Sequence, residues 1–271
     1  MSFDLQLDNE NSKILASNIS IISSIVSECF LSINKDSIQI KTFDPTRISM
    51  FDFVLKKEAF QEFKVDNSFS LGLNLETFNN MLKTAKKDEI LNLNFDEKEQ
   101  RLRIVFKAKN RERSFTLKMI DIKDDNPPPD KVKILRTAQF NIDASFFQQV
   151  LKDSMMISDH FKIHAFPDKV IFSCSSFSNE METVVGPESE EIETESFEII
   201  EESESSYSLE FLNNFMKGIR SSETLTIGFA TNKPIILEYN LENKGYLHYM
   251  LAPRIESVAD EEDYEYDDED Y

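Results

Sequence analysis

The sequence predicts an α+β protein of two similar domains, each with two helices packed on antiparallel sheet. The first observation behind this prediction is an internal repeat. Leu75–Lys83 (LETFNNMLK) matches Leu209–Lys217 (LEFLNNFMK) at an offset of 134 residues, and the match continues from Glu89–Phe95 into Glu223–Phe229. The second is the large number of short alternating segments, which are typical of half-buried strands. The third is a proline-rich stretch near the middle of the chain.

The length of the repeat indicates a duplicated domain, because solenoids have shorter and more numerous units. With 271 residues, 40% of them hydrophobic, and 23 Phe, the chain can form a hydrophobic core in each half. We expect an N-terminal domain at 1–120 and a C-terminal domain at 136–256. A connector at 121–135 joins them, and an acidic, disordered tail at 257–271 follows.

In the first half, Ser12–Ser24 has the apolar spacing of an amphipathic helix, and Leu75–Lys83 is expected to be a second helix. The segments that alternate as strands are Phe3–Leu7, Phe30–Phe43 (a hairpin turning at Asn34–Asp36), Ile48–Lys56, Glu62–Asp66, Phe69–Leu73, Glu89–Phe95, Arg101–Lys107 and Ser114–Ile122. Such a mixture of many strands and few helices favours antiparallel sheet.

The second half repeats this scheme, with helices expected at Ala144–Met155 and Leu209–Lys217. Its expected strands are Gln139–Ile142, Lys162–Ala165, Val170–Ser175, Met181–Val185, Phe197–Ile200, Leu225–Phe229, Ile235–Asn240 and Tyr246–Leu251. Between the halves, three consecutive prolines stand among charged residues in Asp121–Lys133. Proline lacks an N–H and has a fixed φ, so this stretch reads as an extended, solvated connector.

The net charge of −20 comes almost entirely from two segments. Glu256–Tyr271 has ten acids and no base, and Glu188–Glu204 has nine acids and no base. The remaining body is nearly neutral, so the overall acidity does not exclude DNA binding. Runs of like charge are usually solvated and mobile. The tail is interpreted as solubilising, with repulsion of non-specific DNA or binding of basic partners as alternatives.

The sequence gives no indication of an enzyme. It has no glycine-rich phosphate loop and no G-x-S-x-G motif. His160 and His164 are four apart in a turn and strand and have no third ligand nearby, and Cys29 and Cys174 are expected to be buried, reduced thiols. Acids around Asp124 could be imagined as a two-metal nuclease site, but a proline-stiffened exposed linker does not position metal ligands. We expect no catalytic residue, metal, cofactor or membrane span.

The C-terminal block Tyr246–Glu256 (YLHYMLAPRIE), preceded by Lys233–Tyr239 (KPIILEY), resembles the signature of the eukaryotic and archaeal DNA sliding clamps, the proliferating cell nuclear antigen family. In the first half, Phe115–Asp121 (FTLKMID) resembles the strand that enters the family's interdomain connector. Asp44 with Ile48–Met50 resembles its first-domain loop and the strand that follows.

The resemblance implies that three chains form a homotrimeric ring of pseudo-sixfold symmetry around double-stranded DNA. Helices would line the hole and hold phosphates without reading bases, and sheets would form the outer wall. The ring would act as a processivity factor in DNA replication and repair. DNA polymerase, a clamp loader, ligase and flap nuclease would dock PIP-box motifs on its outer face. A nuclear location follows from the resemblance alone, with the archaeal cytoplasm or a viral factory as alternatives.

The DNA-facing candidates are basic residues on or near the four helices: Lys13, Lys83, Lys86, Lys87, Lys152, Lys217 and Arg220. Lys83 and Lys217 share one position of the repeat, as a common role would require. Family members usually carry more basic residues on these faces. Here the first helix has Ala16, Ser17 and Ser23 and the fourth has Glu210. We therefore expect a weak grip on phosphates.

By resemblance, a pocket for partner motifs is built from Phe43, Arg47, Ile48, Met50, Pro127, Pro129, Pro234, Ala252 and Pro253. It would accept an aromatic and aliphatic plug from a helical turn. The connector departs from the family pattern, because prolines replace the aliphatic residues expected near its middle and Asp124, Asp125 and Asp130 surround them.

The subunit interface is expected to pair strand Arg113–Met119 of one chain with Asn179–Val185 of the next, since a ring removes exposed strand edges. Its apolar contacts would be Phe115 and Leu117 against Met181 and Val185. The acidic segment that follows Pro187 would form a loop beside it. Lys169 is the one weak candidate for the regulatory lysine of the family.

Two other functions remain open from the sequence. The chain could be one subunit of a heteromeric ring, such as a checkpoint clamp, which the thin basic lining and the altered connector would suit. It could also be a clamp-fold transcription or interaction factor that does not encircle DNA.

Overall fold

The computed structural model describes residues 2–123, 127–129 and 132–255. Asp124, Asp125 and Asp130 of the connector and the acidic tail at 257–271 lie outside the described residues.

The first half contains nine strands and two helices in the order expected from the sequence. These are β1 (Ser2–Leu7), α1 (Asn9–Ser23), β2 (Glu28–Ile33), β3 (Ser37–Phe43), β4 (Ser49–Lys56), β5 (Glu62–Val65), β6 (Phe69–Asn74), α2 (Leu75–Leu82), β7 (Ile90–Asp96), β8 (Arg101–Ala108) and β9 (Arg111–Lys118). A short 3-10 turn at Lys57–Ala59 follows β4.

The second half repeats the arrangement: β10 (Ala138–Asp143), α3 (Ala144–Met155), β11 (His160–Phe166), β12 (Lys169–Ser175), β13 (Glu180–Val185), β14 (Glu198–Ile199), β15 (Ser203–Ser208), α4 (Leu209–Met216), β16 (Thr224–Phe229), β17 (Ile235–Asn240) and β18 (Gly245–Leu251). Two further 3-10 turns lie at Thr194–Ser196 and Glu242–Lys244. The predicted α+β architecture is confirmed.

Local sequence fixes where three of the helices begin. Asp8 precedes α1, Asn74 precedes α2 and Asp143 precedes α3, and each side chain accepts a hydrogen bond from a backbone N–H in the first turn. Such caps satisfy donors that have no partner within the helix. The first and third caps stand at equivalent positions of the repeat.

The strands form three antiparallel sheets. Their strand orders are β5-β1-β7-β8-β9, β14-β10-β16-β17-β18-β4-β3-β2-β6 and β13-β12-β11-β15. The nine-stranded sheet crosses from one half to the other where β4 pairs with β18, over seven residue pairs from Ser49↔Leu251 to Leu55↔Gly245. We call this pairing the closed junction.

Aromatic side chains pack beneath the closed junction. The Phe51 ring of β4 lies 4.7 Å from that of Tyr249 on β18, which stacks at 4.8 Å on Phe215 of α4. All three side chains are fully buried. The cores of the two halves are therefore continuous.

The four helices pack together, with α1 against α2, α3 against α4, and α1 against α4 across the halves. Gly218, just after α4, allows α1 and α4 to come close together. A β-carbon at this position would lie 2.0 Å from Cγ1 of Ile21 on α1. Because a side chain would not fit, the sequence needs glycine here.

Two strands differ from the sequence-based expectations, β9 in its bounds and β15 in not having been predicted. The strand expected at Ser114–Ile122 is β9, which runs from Arg111 to Lys118. It ends before the predicted residue because Met119 donates its N–H to Gln100 O and Ile120 donates to Gly72 O, which belongs to β6 and not to β8. The serine-rich strand β15 was not predicted, since Ser203 and Ser205 are small buried residues without an apolar signature.

The acidic segment Glu188–Glu204 is not a solvated loop. Its Ile192 is 4% exposed, and Phe197 packs against the core. Asp143 donates its N–H to Glu191 O, and β14 extends the nine-stranded sheet beyond β10. The strand expected at Phe197–Ile200 is present as β14, Glu198–Ile199, whereas the acids on either side of Ile192 concealed its role as an apolar anchor.

Candidate functional sites

The helix layer carries all seven basic candidates, and all seven side chains are exposed. Lys152, Lys217 and Arg220 line a groove of about 380 Å3 between α3 and α4. Lys13 and the same Arg220 line a second groove, of about 300 Å3, between α1 and α4. Lys83, Lys86 and Lys87 lie at the end of α2, where Asn9 of α1 donates to Lys86 O. The two halves thus bring cations to neighbouring parts of one layer.

The repeat extends to the conformation of two of these residues. Lys83 and Lys217 are the C-terminal caps of α2 and α4, with nearly equal backbone angles. Arg220 is more firmly held. Its hydrogen bond with Tyr239 raises the pKa of its guanidinium, and Glu223 lies 2.8 Å away. A cation fixed in this way still presents charge to a phosphate, with less loss of side-chain freedom on binding.

Acids share the helix layer with these cations. Glu10, Glu76 and Glu210 are exposed in the first turns of α1, α2 and α4. Glu10 also lies 3.6 Å from Lys244 Nζ. The layer therefore has a low density of positive charge, which suits diffuse attraction to DNA better than tight binding.

An apolar groove of about 410 Å3 lies on the other face of the closed junction. Met50 of β4 and Met250 of β18 stand opposite each other and are buried in its floor. Ile236 packs with both, and Phe43 and Ile134 cover the cluster from either side. We call this the docking groove. Its lining residues are Phe43, Arg47, Ile48, Ser49, Met50, Pro129, Val132, Lys133, Ile134, Leu135, Lys233, Pro234, Met250, Leu251 and Ala252.

Of the nine residues predicted for a partner pocket, Pro127 and Pro253 do not line this groove. The prediction also missed Val132, Ile134 and Leu135, which supply the aliphatic side of the connector. Aliphatic residues were expected where this chain has prolines, but they begin at Val132, three residues after the last proline of the connector. The run VKIL in the sequence was the available signal.

A buried aspartate shapes the rim beside Ile48. Asp44 accepts hydrogen bonds from the N–H of Thr46 at 2.8 Å and of Ser49 at 2.5 Å, and from the Thr46 hydroxyl. Burial would raise its pKa, but these hydrogen bonds outweigh burial and hold the pKa below its usual value. Arg47 adopts φ 62° in this loop, and its guanidinium lies 5.2 Å from the Phe43 ring centroid.

The strands predicted to form a subunit interface are both sheet edges. β9 ends the five-stranded sheet and β13 ends the four-stranded sheet. Leu117 and Val185 are buried in the chain's own core, whereas Phe115 and Met181 keep some exposure. More exposed apolar side chains lie nearby and were not predicted. Phe177 precedes β13 and Met156 follows α3 as its C-terminal cap, and they are 109% and 76% exposed.

Charged residues hold β9 in place. Glu89, 1% exposed, receives Arg113 Nη2 at 2.6 Å and Arg111 Nε at 3.3 Å. The hydrogen bond from Arg113 lowers the pKa of Glu89 to about 2, against the effect of burial. A buried carboxylate with two guanidinium partners and a backbone donor is well compensated.

The other residues singled out from the sequence show no joint site. His160 lies against Asp159 and His164 against Glu202 and Glu204, and no cluster of three metal-binding side chains occurs in residues 2–123, 127–129 and 132–255. Lys169 Nζ lies over the Phe166 ring. Both thiols are buried, and burial raises the pKa of Cys29 to about 12. None of the helices in the described part of the chain has the length and apolarity needed to span a membrane.

Comparisons with known proteins agree over nearly the whole chain. The family model "Proliferating cell nuclear antigen, N-terminal domain" matches residues 3–127, and that of the C-terminal domain matches residues 137–254. A "DNA polymerase sliding clamp" from Thermococcus gammatolerans is 27% identical over 94% of this chain and 100% of its own length. A "Proliferating cell nuclear antigen" from Chaetomium thermophilum is 28% identical over 91% of this chain and 96% of its own.

The fold agrees as well. The crystal structure of PCNA from Thermococcus kodakaraensis superimposes with a TM-score of 0.86 at 21% identity, covering 93% of this chain and 100% of that one. The resemblance found in the block Tyr246–Glu256 is thereby confirmed. With both domain models matched in order, this chain belongs to the proliferating cell nuclear antigen family of DNA sliding clamps, which are processivity factors and not enzymes.

Proposed function

We propose that this chain is a DNA sliding clamp. Copies of it close into a ring around duplex DNA and tether DNA polymerase and other replication and repair proteins. The observation that best supports this proposal is the closed junction, where β4 of the first half pairs with β18 of the second. A ring would repeat this strand pairing between neighbouring copies of the chain.

The repeat relates the closed junction to the two free edges. β18 follows β16 and β17 in the second half as β9 follows β7 and β8 in the first, at the same offset of 134 residues. β4 is the third strand after α1, and β13 is the third after α3. A pairing of β9 with β13 of another copy would therefore reproduce β18 with β4. Three copies would complete six repeats.

The helices support the same arrangement. In the closed junction, Ile21 of α1 packs on Gly218 after α4 and is 2% exposed. Met156 stands thirteen residues after the cap of α3, as Ile21 does after the cap of α1, and it is 76% exposed. Its counterpart contact would be near Thr84 after α2 of the next copy. An exposed methionine at this place is suited to burial in a subunit contact.

The helix layer would face DNA in such a ring. Its seven exposed cations are spread over both halves and mixed with acids, so they offer phosphate contacts without a pattern for reading bases. Enclosure would then provide retention, and weak contacts would permit sliding.

The docking groove would receive PIP-box segments of partners. Its buried methionine floor and half-exposed aliphatic walls fit an apolar plug from a partner segment. The polymerase, clamp loader, ligase and flap nuclease remain predictions as partners. So does a nuclear location, which would apply if the chain is eukaryotic.

Encirclement is tested by the topology of the DNA. The purified chain should show the mass of a trimer by light scattering, stable on dilution below micromolar. It should thread onto linear DNA and stay after both ends are blocked, while closed circular DNA of the same sequence should not retain it. Equal retention on both DNAs would contradict encirclement, and a monomer at micromolar concentration would indicate missing sister subunits.

A further inference from the structure

We propose that the chain's own acidic tail, Glu256–Tyr271, binds the docking groove and competes there with partner segments. The proposal deepens the proposed function, since it rests on the groove being a docking site. The tail thereby sets an affinity threshold that a partner must exceed.

The charge of the groove rim favours an acidic occupant. Lys133 and Lys233 line the groove and are exposed, and within the described residues neither forms an ion pair. Arg47 adds a third cation to the lining. None of the fifteen lining residues is acidic, and the Asp44 carboxylate beside the rim already accepts hydrogen bonds from Thr46 and Ser49. An apolar floor edged by cations therefore selects a segment that combines apolar or aromatic side chains with negative charge.

The tail has this composition. It carries ten acids and no base, and it contains Val258, Tyr264, Tyr266 and Tyr271. Tyrosine can bury its ring against methionine while its hydroxyl stays near water. Attraction between ten acids and the rim would be strong at low salt and screened at high salt.

The chain leaves the fold beside this rim. Ala252 lines the groove and donates its N–H to Ile48 O at 2.8 Å. Arg254 donates to Ser206 O at 2.7 Å, and the neighbouring Tyr207 hydroxyl donates to Lys233 O at 2.8 Å. The tail thus begins one strand away from a rim lysine. Sixteen residues extend up to about 50 Å, so the tail can turn back along the groove.

Tethering makes weak binding effective. A short flexible linker gives a local concentration on the order of millimolar. A tail whose own affinity is only submillimolar would then weaken a competing peptide by about 3- to 10-fold. Partners with strong motifs displace the tail, and weak or non-specific apolar segments do not.

The test compares the full chain with a chain ending at Ile255. The probe is a fluorescent PIP-box peptide with uncharged flanks, titrated by anisotropy. Truncation should tighten binding about 3- to 10-fold at low salt, and the difference should vanish near 1 M salt. In a Lys133→Gln/Lys233→Gln background, truncation should have no effect. Lys98→Gln, which replaces an exposed lysine at the β7–β8 turn, is the matched control and should keep the full difference.

A second readout needs no peptide. With 13C-methyl methionine labelling, truncation should shift the resonances of Met50 and Met250 in the groove floor. Those of Met155 and Met156 at the end of α3 should stay unchanged.

The outcomes separate the two proposals. If neither form binds the peptide, the docking role fails, whereas the Met50 and Met250 shifts still report on the tail. Equal affinities with unchanged shifts would overturn the tail proposal and leave docking intact. Tightening that persists in the double lysine variant would also overturn it, because the rim lysines would then play no part in how the tail weakens peptide binding.

Discussion

The closed junction and the open edges occupy the same place in the repeat, and they are stabilised differently. At the closed junction, β18 has the sequence GYLHYML and is hydrogen-bonded to β17 on one edge and to β4 on the other. The aromatic rings of Phe51 and Tyr249 pack beneath it. At the open edge, β9 begins RER, and Arg113 is held by the buried Glu89. Charged residues on an edge strand discourage uncontrolled pairing. The difference shows that equivalent strands of the two repeats are fixed in different ways, one by a buried aromatic core and the other by charged side chains at a sheet edge.

Removing an aromatic ring should damage the closed junction most. Phe51→Ala deletes a fully buried ring, and we expect a loss of about 3 to 5 kcal/mol in the free energy of unfolding. Urea denaturation measures this free energy, at a protein concentration below micromolar so that self-association contributes little to the apparent stability. Phe115→Ala on β9 is the matched control. That ring is half-buried, so its cost should be roughly 1 to 2 kcal/mol. Equal costs would remove the distinction between the two places.

Acid should release the open edge before the closed junction. The folded pKa of Glu89 is about 2, below the ordinary 4.5, so its contribution to stability is present above pH 4.5 and is lost as the pH falls toward 2. At pH 3 the protection factors of backbone amides against hydrogen exchange, each relative to the intrinsic rate at that pH, should fall in β9 and not in β18. Glu89→Gln should lose about 1 to 3 kcal/mol at pH 7 and flatten this pH dependence. A variant with the pH profile of the unmodified chain would show that Glu89 does not hold β9.

A charge placed at the end of α3 should act on assembly alone. Met156 is largely exposed, so Met156→Glu should change unfolding by no more than about 0.5 kcal/mol. Self-association should weaken about tenfold or more, which analytical ultracentrifugation measures. Ile200→Glu, at a position 68% exposed near the β14 end of the long sheet, is the control and should leave assembly unchanged. Equal behaviour of the two variants would argue against the α3 contact.

The smallest effects should come from the equivalent lysines of the two halves. Lys83→Ala and Lys217→Ala should each lower the salt slope of DNA binding by about one, to a similar degree, because both cap equivalent helices. Lys35→Ala, in the β2–β3 turn, is an exposed control that should have no effect. A clear inequality between Lys83 and Lys217 would mean that the halves do not face DNA alike.

Much of the fold was readable because the repeat carried the same pattern twice. α2 and α4 begin at the predicted residues, and α3 matches its prediction at both ends. β15 escaped prediction because buried serines give no alternation of polarity. For the groove, the resemblance pointed to Met50, but Met250 could be placed opposite it only once the register of β4 and β18 was known. Likewise, alternation tells which residues of a strand share a face, not that Leu117 and Val185 face their own core.

The closed junction also determines when the chain can finish folding. β18 pairs with β4 on one edge and with β17 on the other, in the middle of the nine-stranded sheet. Residues near position 50 therefore cannot form their final strand pairing until residues near position 250 have been synthesised. Such distant pairing is slow to form. While the second half is still being synthesised, β4 presents Phe51 and Phe53 along an unpaired edge. Incomplete chains should thus be the most aggregation-prone species, and a chaperone that shields β4 during synthesis would raise the yield of native protein.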